Sequence, residues 1–161
     1  MQISRRAAAV GAAAVTGLAT LGAADAALAS PSAPATQDRV QVLHLRAFFV
    51  AAANNGAGHG GPGDVEAVLF AIRTPSGAKA GMESVSLQAV PGHQQLAHSA
   101  FVLKGGQIDA MGTVASTATR FTAAIIGGTG IYEGVTGQIR NVAPATGPFD
   151  LTFQIIPPDR N

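Results

Sequence analysis

The 161-residue sequence contains no cysteine. This absence excludes disulfide bonds, cysteine metal sites and cysteine nucleophiles. Serine-hydrolase chemistry is not indicated either, because the chain has neither a Gly-x-Ser-x-Gly elbow nor the alternation of strands and helices that supports one. Without disulfides or cysteine-bound metals, the folded domain must be stabilised by its hydrophobic core and its hydrogen-bonded backbone.

Charged residues are also scarce, at 12% of the chain, with ten Lys and Arg against nine Asp and Glu. If residues 1–29 are removed as a signal peptide, as the next pattern suggests, the chain loses Arg5, Arg6 and Asp25. Eight basic and eight acidic residues then remain. A neutral domain does not favour a nucleic-acid partner, which would require a basic patch. It also does not favour electrostatic adhesion to anionic lipid.

The first 29 residues have the pattern of a signal peptide: a short positive start, an uncharged stretch from Ala7 to Ala24, and a small-x-small cleavage site at Ala27–Ala29. The pair Arg5-Arg6 suggests twin-arginine export, and Sec export stays open because only alanines follow the pair. A membrane anchor is the alternative, but 18 weakly apolar residues favour cleavage. We therefore expect a secreted protein without a stable membrane anchor.

Residues 30–38 are rich in Pro, Ala and Ser and are predicted to form a disordered linker. Beyond them, residues 39–158 show no helical period. Turn signals divide this region into eight predicted strands: Arg39–Ala52, Asp64–Arg73, Lys79–Val90, His93–Leu103, Gln107–Ala115, Thr119–Ile126, Ile131–Val142 and Pro148–Ile156. The regular spacing predicts an all-β, eight-stranded antiparallel up-and-down β-barrel, with a β-sandwich as the alternative.

The glycine-rich stretch Phe121–Gly137 (FTAAIIGGTGIYEGVTG) is the most distinctive part of the chain. It predicts two strands joined by a tight turn at Gly127–Gly130, since glycine adopts positive φ without penalty. A phosphate-binding loop is the alternative. The glycine spacing differs from the dinucleotide fingerprint and no helix is predicted after it, so the turn is favoured.

Three segments together resemble the allene oxide cyclase/dirigent-like β-barrel superfamily: FVLKGGQI at 101–108, GGTGIYEGVTGQI at 127–139 and FDLTFQII at 149–156. The resemblance is good over Gln107–Ile156 and looser over Arg39–Leu103. It implies the same eight-stranded barrel and an oligomer, because relatives are often oligomeric. It also implies binding of a small apolar molecule and an isomerase or cyclase type of activity.

Candidate site residues are ionisable groups on otherwise apolar strand faces. His44 and Arg46 share a face with Phe48, Glu66 shares one with Phe70, and His98 lies on a third. If these faces line the lumen, desolvation and neighbouring charge would tune the groups for acid–base chemistry. The alternative places them in solvent or at the barrel rims, since buried charges without partners are rare.

The segment Ala80–Val85 resembles a strand of plant allene oxide cyclases in which the position of Glu83 lines the cavity; a rim salt bridge is the alternative for this residue. Tyr132 either donates to a ligand near the barrel mouth or packs across its hairpin. The catalytic candidates are therefore Glu66, Glu83 and His44. The ligand-binding candidates are Arg46, Phe48, Phe70, His98, Phe101 and Tyr132.

No metal or other cofactor is predicted, because His93 and His98 are five residues apart and point to opposite faces of one strand. Three functions remain: a barrel that guides a cyclisation or coupling, a non-catalytic carrier resembling a lipocalin in its physics, and a secreted structural protein with a filled lumen. A polar group in the lumen favours the first, and a wholly apolar lumen favours the second. The many alanines in the strands argue against complete filling.

Overall fold

The computed structural model describes residues 40–55 and 61–159. The predicted signal peptide and the predicted linker lie outside the described residues. No helix forms within the described part, so none there is long and apolar enough to cross a membrane.

The described chain forms eight β-strands, all paired antiparallel. Their bounds are β1 (Gln41–Asn54), β2 (Val65–Arg73), β3 (Lys79–Val90), β4 (Gln94–Leu103), β5 (Gly106–Ala115), β6 (Arg120–Gly130), β7 (Thr136–Val142) and β8 (Phe149–Ile156). Each strand pairs with its neighbour in sequence, and β8 pairs with β1, so the sheet is a closed barrel. The predicted up-and-down barrel is confirmed, and the sandwich alternative is excluded by this closure.

Closure of the barrel depends on β1, whose 14 residues are enough to pair with both β8 and β2. Residues Gln41–Ala47 pair with β8, and Arg46–Asn54 pair with β2. A register shift between Phe49 and Ala51 marks a β-bulge, which increases the local twist of the strand. The pairing with β8 ends at Ala47, so the second half of β1 continues along β2 alone and borders one end of the barrel.

The two ends of the barrel differ. We call the end with the β2–β3, β4–β5 and β6–β7 connections the base, and the opposite end the mouth. The base is filled by large side chains, because Ile72, Phe101, Ile108, Ile139 and Phe153 are almost completely buried. Phe101 and Phe153 pack edge to face with ring centroids 5.0 Å apart, a geometry that stabilises aromatic pairs. The base is therefore a packed core, and any open lumen must lie towards the mouth.

The predicted tight turn at Gly127–Gly130 is wrong in its position. Gly127–Gly130 does not form the turn but continues β6, where it pairs with Gly106–Asp109 of β5. The turn follows at residues 131–134, and β7 begins only at Thr136. Gly128 and Gly130 allow close approach of other backbone segments: a Cβ on Gly128 would lie 2.5 Å from the carbonyl oxygen of Tyr132. The turn signal was correct in kind but placed four residues too early.

Replacing Gly130 by alanine is expected to destabilise the barrel by about 2 kcal/mol or more. Gly130 has a φ of 63°, and a Cβ there would collide with the carbonyl oxygen of Gly105. Gly127→Ala is the matched control, because its Cβ would meet open space and its φ is ordinary. Urea denaturation of both variants measures the difference; equal effects would contradict this account.

Candidate functional site

The lumen contains a cavity of about 170 Å³ between the packed base and the mouth. Most of its lining is apolar, and small side chains such as Ala47 and Ala97 leave the space that larger ones would fill. The lining comprises Ala47, Val68, Phe70, Glu83, Val85, Leu87, Gln95, Ala97, Ser99, Val114, Ala115, Ser116, Ala118, Phe121, Asn141, Phe149 and Leu151. A cavity of this size suits one ring-sized molecule, because a cavity of about 150 Å³ is enough for benzene.

Glu83 is the one charged residue among the described residues that line this cavity. It shares the inward face of β3 with Val85 and Leu87, and its neighbours across the sheet are Phe70 and Phe101. Phe101 belongs to the packed base, so Glu83 lies at the inner end of the cavity. Its side chain is only 5% exposed, which places a carboxyl group in apolar surroundings.

Burial raises the pKa of Glu83 from 4.5 to about 7, because desolvation penalises the carboxylate; a hydrogen bond with Ser99 acts in the opposite direction. The Ser99 hydroxyl lines the same cavity. Near neutral pH, a large fraction of Glu83 therefore carries a proton. A protonated carboxyl can donate a hydrogen bond, which a carboxylate cannot.

Asn141 is the second buried polar residue of the cavity, at 6% exposure. It lies on β7, four strands from β3, so it and Glu83 occupy opposite walls of the eight-stranded barrel. Its amide can both donate and accept hydrogen bonds. Asn141 was not among the predicted site residues, although the sequence carries a signal for it: the alternation that turns Ile139 inwards also turns Asn141 inwards.

Three phenylalanines, Phe70, Phe121 and Phe149, give the cavity aromatic walls. The rings of Phe70 and Phe149 pack edge to face at 5.5 Å, and Phe49 packs against Phe70 in the same manner at 6.2 Å. Phe49 is 65% exposed and lies beyond the end of the β1–β8 pairing. An apolar molecule approaching the mouth would therefore meet an aromatic surface that continues into the lumen.

Several predicted site residues lie on the outer surface. His44 and Arg46 are exposed, and they interact with β8 from outside: the His44 ring nitrogen is 3.3 Å from the Thr152 hydroxyl, and Arg46 is 3.4 Å from Asp150. The face that carries these two residues therefore does not line the lumen. His98 is also exposed, and its strand neighbours Ala97 and Ser99 line the cavity instead. Phe48 shares the outer face of β1, where the Arg73 guanidinium lies 5.8 Å from its ring centroid.

The remaining predicted residues are distributed along the inner face. Glu83 and Phe70 line the cavity, as described above. Glu66 is half-buried on the inward face of β2, beside Leu87 but outside the lining. Phe101 belongs to the core of the base, and Tyr132 packs against that core in the turn after β6. Of the nine candidates, the structure brings only Glu83 and Phe70 together in the cavity.

Within residues 40–55 and 61–159, no group of three or more His, Asp or Glu side chains is arranged to hold a metal ion. The cavity instead offers hydrogen-bonding groups on apolar walls: the carboxyl of Glu83, the amides of Gln95 and Asn141, and the hydroxyls of Ser99 and Ser116. Such an arrangement can orient a small ring through its polar substituents while excluding water from the rest.

The closed barrel and its ligand-sized lumen can be compared with known structures. Pyocyanin demethylase superimposes with a TM-score of 0.63 at 21% identity, over 71% of this chain and 99% of that chain. The Diels-Alderase AbmU from Streptomyces koyangensis gives 0.61 at 17% identity, over 76% and 72%. A pterocarpan synthase dirigent protein gives 0.56 at 14% identity, over 73% and 94%.

The chain shares its closed barrel fold with these structures, each of which is less than 25% identical to it in sequence. The predicted resemblance is thereby confirmed at the level of the fold. No protein-family model and no curated protein sequence matches the chain. The structural neighbours of the chain include a cyclase, a Diels-Alderase and a dirigent protein. Because one fold hosts unrelated chemistries, the function must be argued from the lumen.

Proposed function

We propose that this barrel binds a small, apolar, ring-sized molecule in its lumen and guides a cyclisation, with Glu83 as the hydrogen-bond donor to a ligand oxygen. The observation that carries the proposal is the buried carboxyl at the inner end of an aromatic-walled cavity. A structural barrel needs no such group, and a buried carboxyl without a function lowers stability.

The reaction supported best is an isomerisation. A σ bond forms within one molecule at the expense of a π bond, so no atom is gained or lost and no oxidant is consumed. The apolar walls hold the reactant in a folded conformation and exclude water, and positioning of this kind lowers barriers substantially. The Glu83 proton stabilises charge that develops on a carbonyl oxygen as the ring closes. Asn141, on the opposite wall, can orient a second polar substituent.

A non-catalytic carrier is the second candidate, and the predominantly apolar lining favours it. The two functions differ in what Glu83 does. In a carrier, replacing Glu83 by glutamine preserves the whole function, because the amide still donates a hydrogen bond. In a cyclase, the weaker amide donor lowers turnover more than binding.

Export is part of the same proposal. It is supported by the arginine pair at positions 5 and 6 and by the cleavage site at Ala27–Ala29. The mature secreted chain would then begin at Ser30. The likeness to the superfamily further supports assembly into a homo-oligomer, with a small apolar molecule as the ligand.

Cyclohexanone, a single ring with one carbonyl oxygen, is a suitable probe for the cavity. We expect its affinity to fall about tenfold between pH 6 and pH 8, because only protonated Glu83 donates to the carbonyl and the protonated fraction falls about tenfold over that interval. Titration monitored by NMR measures both dissociation constants. Glu83→Gln is the control, and its affinity should not depend on pH. Equal wild-type affinities at the two pH values, or no binding at either, would contradict the proposed role of Glu83.

A further inference from the structure

A second depression lies directly outside the cavity, at the mouth of the barrel. It has a volume of about 400 Å³ and lies between the β3–β4 turn and the connection that follows β5. We call it the vestibule. Gln95 and Ser116 line both the vestibule and the lumen cavity, so the two spaces adjoin at these side chains. The vestibule is therefore the space that lies next to the lumen cavity on the side of Gln95 and Ser116.

The vestibule contains the one described non-glycine residue with a positive φ, which is His93 at 59°. A non-glycine residue in this region costs about 1 kcal/mol or more. The preceding Gly92 already has a φ of 85°, so a second glycine would suit this turn at lower cost. Holding a histidine in a strained conformation beside a cavity is a feature associated with binding sites.

The position of His93 is fixed from two sides. Its backbone lies in the tight connection between β3 and β4, and its carbonyl oxygen accepts a hydrogen bond from the Ser116 amide at 2.9 Å. That bond ties the β3–β4 turn to the residue that borders both the lumen and the vestibule. The imidazole is thus presented on a scaffold that connects the two spaces.

We propose that the vestibule is a second subsite, in which His93 and the neighbouring glutamines bind the polar tail of a ligand whose ring occupies the lumen. The described lining contains no Lys, Arg, Asp or Glu, and its polar groups are His93, Gln94, Gln95 and Ser116. This set fits an uncharged tail that carries hydroxyl or carbonyl groups. The ligand class is therefore a two-part molecule, with a single apolar ring at one end and a hydrogen-bonding chain at the other.

The sizes of the two spaces support this division. The lumen cavity holds about one ring, so a larger ligand must extend elsewhere. Glu83 lies at the inner end of that cavity, whereas Gln95 lies near the start of β4, at the mouth of the barrel. A ligand that presents an oxygen to Glu83 therefore directs the opposite end of its ring towards the vestibule. This inference rests on the proposed function, because it requires the ring to bind in the lumen.

The test compares two probes that share a ring, cyclohexanone and 4-(3-hydroxypropyl)cyclohexanone, at pH 6. We expect the hydroxypropyl tail to raise affinity at least fivefold in the wild-type protein. His93→Gly should remove that gain and leave the affinity for cyclohexanone within twofold, since glycine accepts the positive φ and the fold is retained. His93→Asn should restore part of the gain, because asparagine tolerates the same backbone conformation and keeps a hydrogen-bonding group.

Three other outcomes would overturn the inference. If cyclohexanone binds and the tail adds nothing, the vestibule is not a subsite while the proposed function stands. If the tail adds affinity that His93→Gly and His93→Asn both leave intact, the tail binds somewhere else. If neither probe binds the wild-type protein, the proposed function fails, and the second subsite fails with it.

Discussion

Replacing Glu83 by glutamine is expected to stabilise the barrel at pH 8 by about 3 kcal/mol and to remove most of the pH dependence of its stability. The pKa of Glu83 is about 7 in the folded protein and 4.5 when it is free of burial. Between pH 4.5 and pH 7, the Glu83 carboxyl is deprotonated in the unfolded chain but still protonated in the folded chain. The free energy of unfolding therefore falls as pH rises from about 4.5 to about 7, and glutamine has no such proton to lose.

Urea denaturation at pH 5 and pH 8 measures this effect. Wild type should lose most of the 3 kcal/mol between the two values, whereas Glu83→Gln should be nearly constant. Glu133→Gln is the matched control, because Glu133 is exposed in the turn after β6 and its removal should leave the wild-type pH dependence in place. A wild-type protein that is as stable at pH 8 as at pH 5 would show that Glu83 is not desolvated as described.

Filling the lumen is the second change with a large expected effect. Ala97 lines the cavity and is 4% exposed, and a phenylalanine there adds a ring of nearly the size that the cavity accommodates. We expect Ala97→Phe to weaken the binding of cyclohexanone at least 100-fold. The change should leave stability similar or somewhat higher, because it occupies empty space in place of overpacking a filled core.

Ala67→Phe is the control for this variant. Ala67 is exposed on the outer face of β2, directly beside Val68, which lines the cavity. The same side chain placed outside the barrel should leave the dissociation constant of cyclohexanone unchanged. Binding that survives Ala97→Phe, or that Ala67→Phe weakens equally, would place the ligand outside the lumen.

The strands could be predicted from the sequence because their boundaries depend on local turn chemistry. The predicted bounds of the third strand, Lys79–Val90, match the structure at both ends, since turns with Pro and Gly flank the strand. The glycines of Gly127–Gly130 were misplaced for the opposite reason. The role of Gly128 and Gly130 depends on close approach to the β5 end of the sheet and to the Tyr132 carbonyl, and such contacts are not visible in local sequence.

The lumen-facing residues were harder to predict, because both faces of several strands carry apolar side chains. On β1, the outer face holds Val42 at 55% exposure, while the inner face holds Leu45 and Ala47. Alternation separates the two faces of a strand but does not say which one is inside. Only closure of the barrel decides this, and it places His44 and Arg46 outside. The position of Glu83 was expected from the family resemblance rather than from alternation.

The most direct test of the central claim is native mass spectrometry of the protein purified from the cells that make it naturally and from their culture medium, with Ala97→Phe prepared in parallel. We predict one non-covalently bound small molecule on the wild-type chain, released on denaturation and absent from Ala97→Phe. The identity of that molecule would show whether it contains a ring that a cyclisation could form. An apo mass for both proteins, together with no binding of cyclohexanone, would contradict a ligand-binding lumen and leave a structural barrel.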